Sequence, residues 1–231
     1  MAGVVPLTDV SRRPATFPTV TLTIIVINFI VFILELINGE PFVERWSMVP
    51  ANIASGQHLE TILTAMFMHG NWSHIIGNMV FFWAFGPEIE DAMGAWRYLV
   101  FYLLGGIVAA LAQVAFDPHS TVPNLGASGA IAAVMGGFIV TYPRDQIRSL
   151  LVIFVFVRVT YITAALLIGV WFLLQLLSIG SVTGAAQQTG GVAYLAHIGG
   201  FIYGAVIARL FEDPSKVSRS GPTDTSDASD S

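Results

Sequence analysis

A chain of 231 residues that is 55% apolar and only 11% charged, with mean hydropathy +0.72, carries more apolar surface than a soluble core of that size can hide. It has no cysteine, which excludes disulfides, cysteine nucleophiles and thiolate metal sites. Its net charge of −5 supplies no basic field for nucleic acid.

In chain order, residues 1–16 read as a short leader containing Pro6 and Pro14. Arg12 and Arg13 precede an apolar run at 17–37, long enough for a first transmembrane helix and followed by no small-x-small cleavage pattern. Residues 38–72 form a long loop with Trp46, Pro50 and Trp72, suited to short helices at interfacial depth. Helix two is expected at 73–88, helix three at 95–115, and helix four at 127–142, ending at Pro143. From 144 to about 159, where Arg158 interrupts the apolar run, the expectation is an interfacial stretch. Helix five follows at 160–178, an uncharged polar loop at 179–190 and helix six at 191–211. The Ser-, Thr- and Asp-rich tail, 212–231, reads as disordered. The fold class is thus all-α: a six-helix membrane domain at 17–211.

Six spans put both termini on one side. With a cytoplasmic N-terminus, Arg12, Arg13, Arg97, Arg144, Arg148, Arg158, Arg209, Lys216 and Arg219 fall at cytoplasmic ends or tails, and only Arg45 falls outside.

Polar side chains at membrane depth are costly and call for a reason. His74 and Asn78 lie four residues apart, on one face of helix two. Ser128 opens helix four within Gly126-Ala-Ser-Gly129, and His197 lies roughly 9 Å into helix six. The arginine-derived topology places all four on the outer side at similar depth. Ser128, Ala132 and Gly136 form a small-residue ridge, and Gly200 and Gly204 a GxxxG, so helices four and six can approach closely. A serine beside a histidine base is the minimum for nucleophilic hydrolysis. The oxyanion then needs donors, which the amides of helix four, Asn78 and His74 can supply.

The pattern His69-Gly-Asn-Trp-Ser-His74-Ile-Ile-Gly-Asn78, then Gly126-Ala-Ser128-Gly129, then Ala196-His197-Ile-Gly-Gly200 resembles the rhomboid intramembrane proteases, as does Gly86-Pro-Glu-Ile-Glu90. The resemblance covers roughly residues 17–211. It implies Ser128 as nucleophile and His197 as general base, a dyad without an aspartate. It also implies an oxyanion hole of His74, Asn78 and the Ser128 amide. No cofactor or metal is implied. The partners are the lipid bilayer and transmembrane-helix protein substrates, cleaved near their outer ends, usually after a small residue. His69 becomes a structural tie between the first loop and helix two, with Gly126, Gly129 and Gly200 as structural neighbours of the site. Glu90 becomes an anchor accepting backbone amides. The short termini and six-helix core suggest a multi-pass protein of a bacterial inner membrane, with both termini cytoplasmic.

Three positions depart from the family pattern. Glu60 and Thr61 stand where many rhomboids carry Trp-Arg, and Ala132 stands where an aromatic ring usually stacks on the catalytic histidine. Another ring is then expected to hold His197, with Tyr203 and Tyr161 as candidates. Glu35, near the outer end of helix one, is expected to snorkel and take no part in catalysis. Three other functions rank lower. A proteolytically dead relative typically lacks the serine or histidine, and both are present. A metalloenzyme using His69, His74 and His197 lacks an HExxH motif, and a transporter lacks an inverted repeat.

Overall fold

The computed structural model describes residues 2–153, 156–179 and 193–219. Helix α1 (Thr19–Asn38) leads into three short helices, α2 (Glu40–Trp46), α3 (Pro50–Ala54) and α4 (Thr61–Thr64), and a 3-10 turn at Ala65–Phe67. Then come α5 (Trp72–Met93), α6 (Ala95–Phe116), α7 (Ser128–Thr141), α8 (Ala164–Ile179), α9 (Tyr194–Phe211) and α10 (Pro214–Arg219). Helices α1, α5, α6, α7, α8 and α9 occupy the six expected positions. Three of them, α1, α6 and α9, are long and apolar enough to cross a membrane. Helices α7 and α8 are apolar but shorter. The lipid-compatible outer face of α1 carries Val26, Ile27, Ile30 and Ile33, all exposed.

Helix α7 is the axis of the bundle. Every residue from Gly129 to Phe138 is buried, enclosed by α5, α6, α8 and α9. Its contact with α9 is backbone to backbone. A β-carbon on Gly200 would run into the Gly129 carbonyl oxygen, and one on Gly204 into the Ala133 carbonyl oxygen. In the reverse direction, one on Gly136 would strike the Phe201 carbonyl oxygen. This is small-residue helix packing in its tightest form.

The far end of α5 is tied to the start of α1. Glu90 accepts the Val20 and Thr21 backbone N–H groups, each at 2.8 Å, and the Thr21 hydroxyl at 2.8 Å. Asp91 accepts the Thr16 amide at 2.9 Å and its hydroxyl at 2.6 Å. The Val20 and Thr21 amides lie in the first turn of α1, which leaves them unpaired, and a carboxylate is favoured there; Thr16 lies in the segment leading into the helix.

The all-α expectation needs correction, because a three-stranded antiparallel sheet is present. Strand β1 (Ala2–Asp9) pairs with β2 (Gln146–Ile153), which pairs with β3 (Phe156–Thr163). The register sets Asp9 opposite Ile147 and Val4 opposite Leu151, then Ile147 opposite Ile162. The leader at 1–16 is therefore largely a strand, and the expected interfacial stretch is a hairpin. Helix five begins at Ala164 instead of 160. The residues from 146 to 163 are rich in Val, Ile and Thr, which suit a pleated surface. Their partner strand lies some 140 residues away, so local pattern reading has no access to it. Arg12 pairs with Asp145 and lies over the Tyr142 ring at 4.2 Å, pinning the sheet to the end of α7. Residues Pro214–Arg219 are helical, contrary to a tail disordered throughout. The loop expected at 179–190 and the tail beyond 219 lie outside the described residues, apart from Ile179, which ends α8.

Candidate active site

Ser128 occupies the first turn of α7, and the loop before it is held from three directions. The Gly126 N–H donates to the Ala65 carbonyl at 2.9 Å. Met48 and Asn124 form an antiparallel bridge, with N–H to O distances of 3.0 and 2.7 Å. The Ala51 N–H reaches the Ser120 carbonyl at 3.0 Å. The short helices after α1 are thus the scaffold of the serine loop. Helix α7 has 14 residues and spans about 21 Å, so the serine end need not reach the bilayer surface.

Across the α7–α9 seam, the Ser128 Oγ lies 2.7 Å from His197 Nε2. The Gly200–Gly129 contact explains the distance, since both glycines sit within three residues of Ser128 or His197. His197 is 8% exposed. Its other nitrogen, Nδ1, is 2.8 Å from Gln175 Oε1 on α8. The ring beside it belongs to Trp171, with centroids 5.7 Å apart and planes at 37°. Neither tyrosine expected for that role fills it. Tyr203 packs on Phe101 at 5.4 Å, and Tyr161 is exposed on β3. Helix α8 supplies the aromatic instead, because Phe172 stacks on Phe201 of α9 at 4.2 Å and turns Trp171 toward the histidine.

His74 and Asn78 flank Gly126. A β-carbon on Gly126 would sit 2.8 Å from His74 Cε1 and Nε2 and 3.7 Å from Asn78 Nδ2. Its φ of 128° is one that side-chain-bearing residues avoid, so a glycine is doubly required. Asn71 caps α5 by accepting the His74 N–H at 2.9 Å. Asn78 Nδ2 donates to His69 Nε2 at 2.9 Å, and the His69 and His74 rings meet edge to face at 5.1 Å. His69 is fully buried.

Glu35 departs from expectation. It does not snorkel, but is 4% exposed and accepts the His69 backbone N–H with both oxygens, at 2.9 and 3.2 Å. Gln175 and Trp171 lie outside every motif quoted from the sequence, although a carboxamide in an otherwise apolar helix is a signal of the same kind as Asn78. Among the described residues, no three His, Asp or Glu side chains converge as metal ligands would.

The Rhomboid domain family model matches residues 56–213, which includes every residue above except Glu35 and the scaffold at Met48 and Ala51. The chain belongs to the rhomboid family. It is 27% identical over 160 residues to Rhomboid protein 1, mitochondrial, of Saccharomyces cerevisiae, covering 66% of this chain and 43% of that protein. It is 31% identical over 142 residues to RHOMBOID-like protein 12, mitochondrial, of Arabidopsis thaliana, covering 54% and 42%. To Rhomboid protease GlpG of Yersinia pestis it is 26% identical over 130 residues, covering 56% and 46%. The chain thus spans less than half the length of these curated relatives. Within this rhomboid domain the residue four after Ser128 is Ala132, buried and too small to stack on any ring; the ring beside His197 is Trp171 of α8.

Proposed function

We propose that this rhomboid is an intramembrane serine endopeptidase that hydrolyses peptide bonds near the outer end of substrate transmembrane helices. The observation that carries the reading is the 2.7 Å approach of Ser128 Oγ to His197 Nε2. A buried imidazole is there within hydrogen-bond reach of a hydroxyl at a helix N-terminus. Six helices, α1 and α5 to α9, cross the bilayer, and both termini face the cytoplasm of a cell (inner) membrane. Residues 17–211 are the membrane domain.

In the reaction, His197 Nε2 takes the Ser128 proton as Oγ attacks the scissile carbonyl carbon. The oxyanion forms beside the Ser128 N–H, the second Asn78 amide hydrogen and His74, the last two being the side chains that flank Gly126. His197 then protonates the leaving amine. Water adds to the acyl-enzyme through the same base and frees Ser128. Removing one oxyanion donor typically costs about 100- to 1000-fold in rate.

The experiment is cleavage of a model transmembrane substrate in liposomes by wild type, Ser128→Ala and His197→Ala. Cutting by wild type alone supports the reading. Equal cutting by wild type and Ser128→Ala refutes the dyad. No cutting of several substrates by any of the three, with metal chelators without effect, favours a helix-binding protein that has lost proteolysis.

A further inference from the structure

We infer that Gln175 is a positioning residue that turns the Ser128–His197 pair into a serine–histidine–glutamine triad. This rests on the protease reading above, and adds a third member supplied by α8. The argument turns on which atom of the carboxamide faces the histidine. Gln175 Nε2 donates to the Trp171 carbonyl one turn earlier on α8, at 3.3 Å. With the amino group so engaged, Oε1 is the atom presented to His197 Nδ1, at 2.8 Å. An oxygen there only accepts, so Nδ1 must carry a hydrogen. The neutral ring then has its lone pair on Nε2, the nitrogen 2.7 Å from Ser128 Oγ, and the serine hydroxyl is the donor. The tautomer needed for general-base catalysis is thereby selected before substrate arrives.

The arrangement also acts during the reaction. When Nε2 takes the serine proton, positive charge spreads over the ring, and the Nδ1–H bond to the carboxamide oxygen strengthens. The proton stays on Nδ1 throughout, and Gln175 neither gains nor loses one. Trp171 and Gln175, at i and i+4, share one face of α8. One residue therefore offers its ring to His197 and the other its oxygen. Trp171 itself meets Phe201 of α9 at 6.4 Å, and the neighbouring Phe172–Phe201 stack at 4.2 Å also holds α8 against α9.

The test uses the full-length protein in liposomes, with kcat and KM measured across pH for wild type, Gln175→Met, Gln175→Glu and Ser128→Ala. Methionine keeps the side-chain length without a strong acceptor. We expect Gln175→Met to lower kcat on the order of 10- to 100-fold with KM within about twofold. We expect Gln175→Glu to retain activity and to move the acid limb of kcat upward in pH, because a carboxylate favours the imidazolium. Wild-type rates and profile in Gln175→Met overturn the triad and leave the dyad intact. Equal losses in both glutamine variants with an unmoved pH profile reduce Gln175 to packing. If wild type and Ser128→Ala behave alike, the protease reading itself falls.

Discussion

The α7–α9 seam gives the sharpest test of how packing sets chemistry. Replace Gly200 by alanine. The new β-carbon would collide with the Gly129 carbonyl oxygen and lie 3.1 Å from that carbonyl carbon and 3.4 Å from Ala109 Cβ. The first two obstacles are backbone within a buried helix, so no side-chain rotation relieves them. Helix α9 must retreat from α7 by roughly 1 Å, and a misplacement of that size can cost about 100-fold in rate. The retreat falls directly on the Ser128–His197 bond, whose 2.7 Å would lengthen past the normal limit of about 3.2 Å. Overpacking should also lower stability by about 1–3 kcal/mol. The control is Gly169→Ala on α8, where nothing lies within 4 Å. Liposome cleavage and thermal melting of both variants should give a roughly 100-fold loss for Gly200→Ala and wild-type behaviour for Gly169→Ala. Cleavage by Gly200→Ala within about twofold of wild type would refute the idea that this glycine pair sets the catalytic distance.

Three further outcomes follow from the same geometry. Trp171→Ala should lower kcat about tenfold by freeing the His197 ring, whereas Trp171→Phe should recover most of it; aromatic contacts of this kind contribute about 0.5–1.5 kcal/mol. Glu35→Ala leaves the buried His69 N–H without its acceptor, which should reduce melting stability by about 1–3 kcal/mol and lower cleavage through the His69–Asn78 bond. Burial pushes the Asp9 carboxyl up to about 7, with nearby Asp145 adding to the rise and the Ser11 N–H opposing it. The folded state then holds a proton that the unfolded chain has released, so stability falls as pH rises from about 4 to about 7 and changes little from this group above that. Asp9→Asn should melt higher than wild type at pH 8 and no higher near pH 4. A difference independent of pH would contradict the assignment.

The candidate residues themselves were legible because membranes penalise polarity. His74, Asn78, Ser128 and His197 stand out in apolar helices, and the arginine distribution predicts that they share one side of the membrane. Gln175 obeys the same rule, but only the α8–α9 packing aims it at His197. The ring beside His197 lies on α8 and not on β3 or α9, where Tyr161 and Tyr203 sit, since Ala132 announces a missing aromatic without saying which helix supplies one. Glu35 reads locally as a snorkelling carboxylate, because the loop that buries it is 34 residues further along the chain.

What the sequence determined by itself was therefore local or one-dimensional. It carried the apolar periods that make helices, the small-residue ridges that let two of them touch, and the motif order that carries the family resemblance. The tertiary structure alone decided what depends on distant pairing. Strand β1 finds β2 across more than a hundred residues, Glu90 caps a helix that begins about 70 residues earlier, and Gln175 meets His197 across the gap between α8 and α9. A hydrogen-bonding side chain specifies the kind of partner it needs, but only the packed bundle specifies which partner it meets.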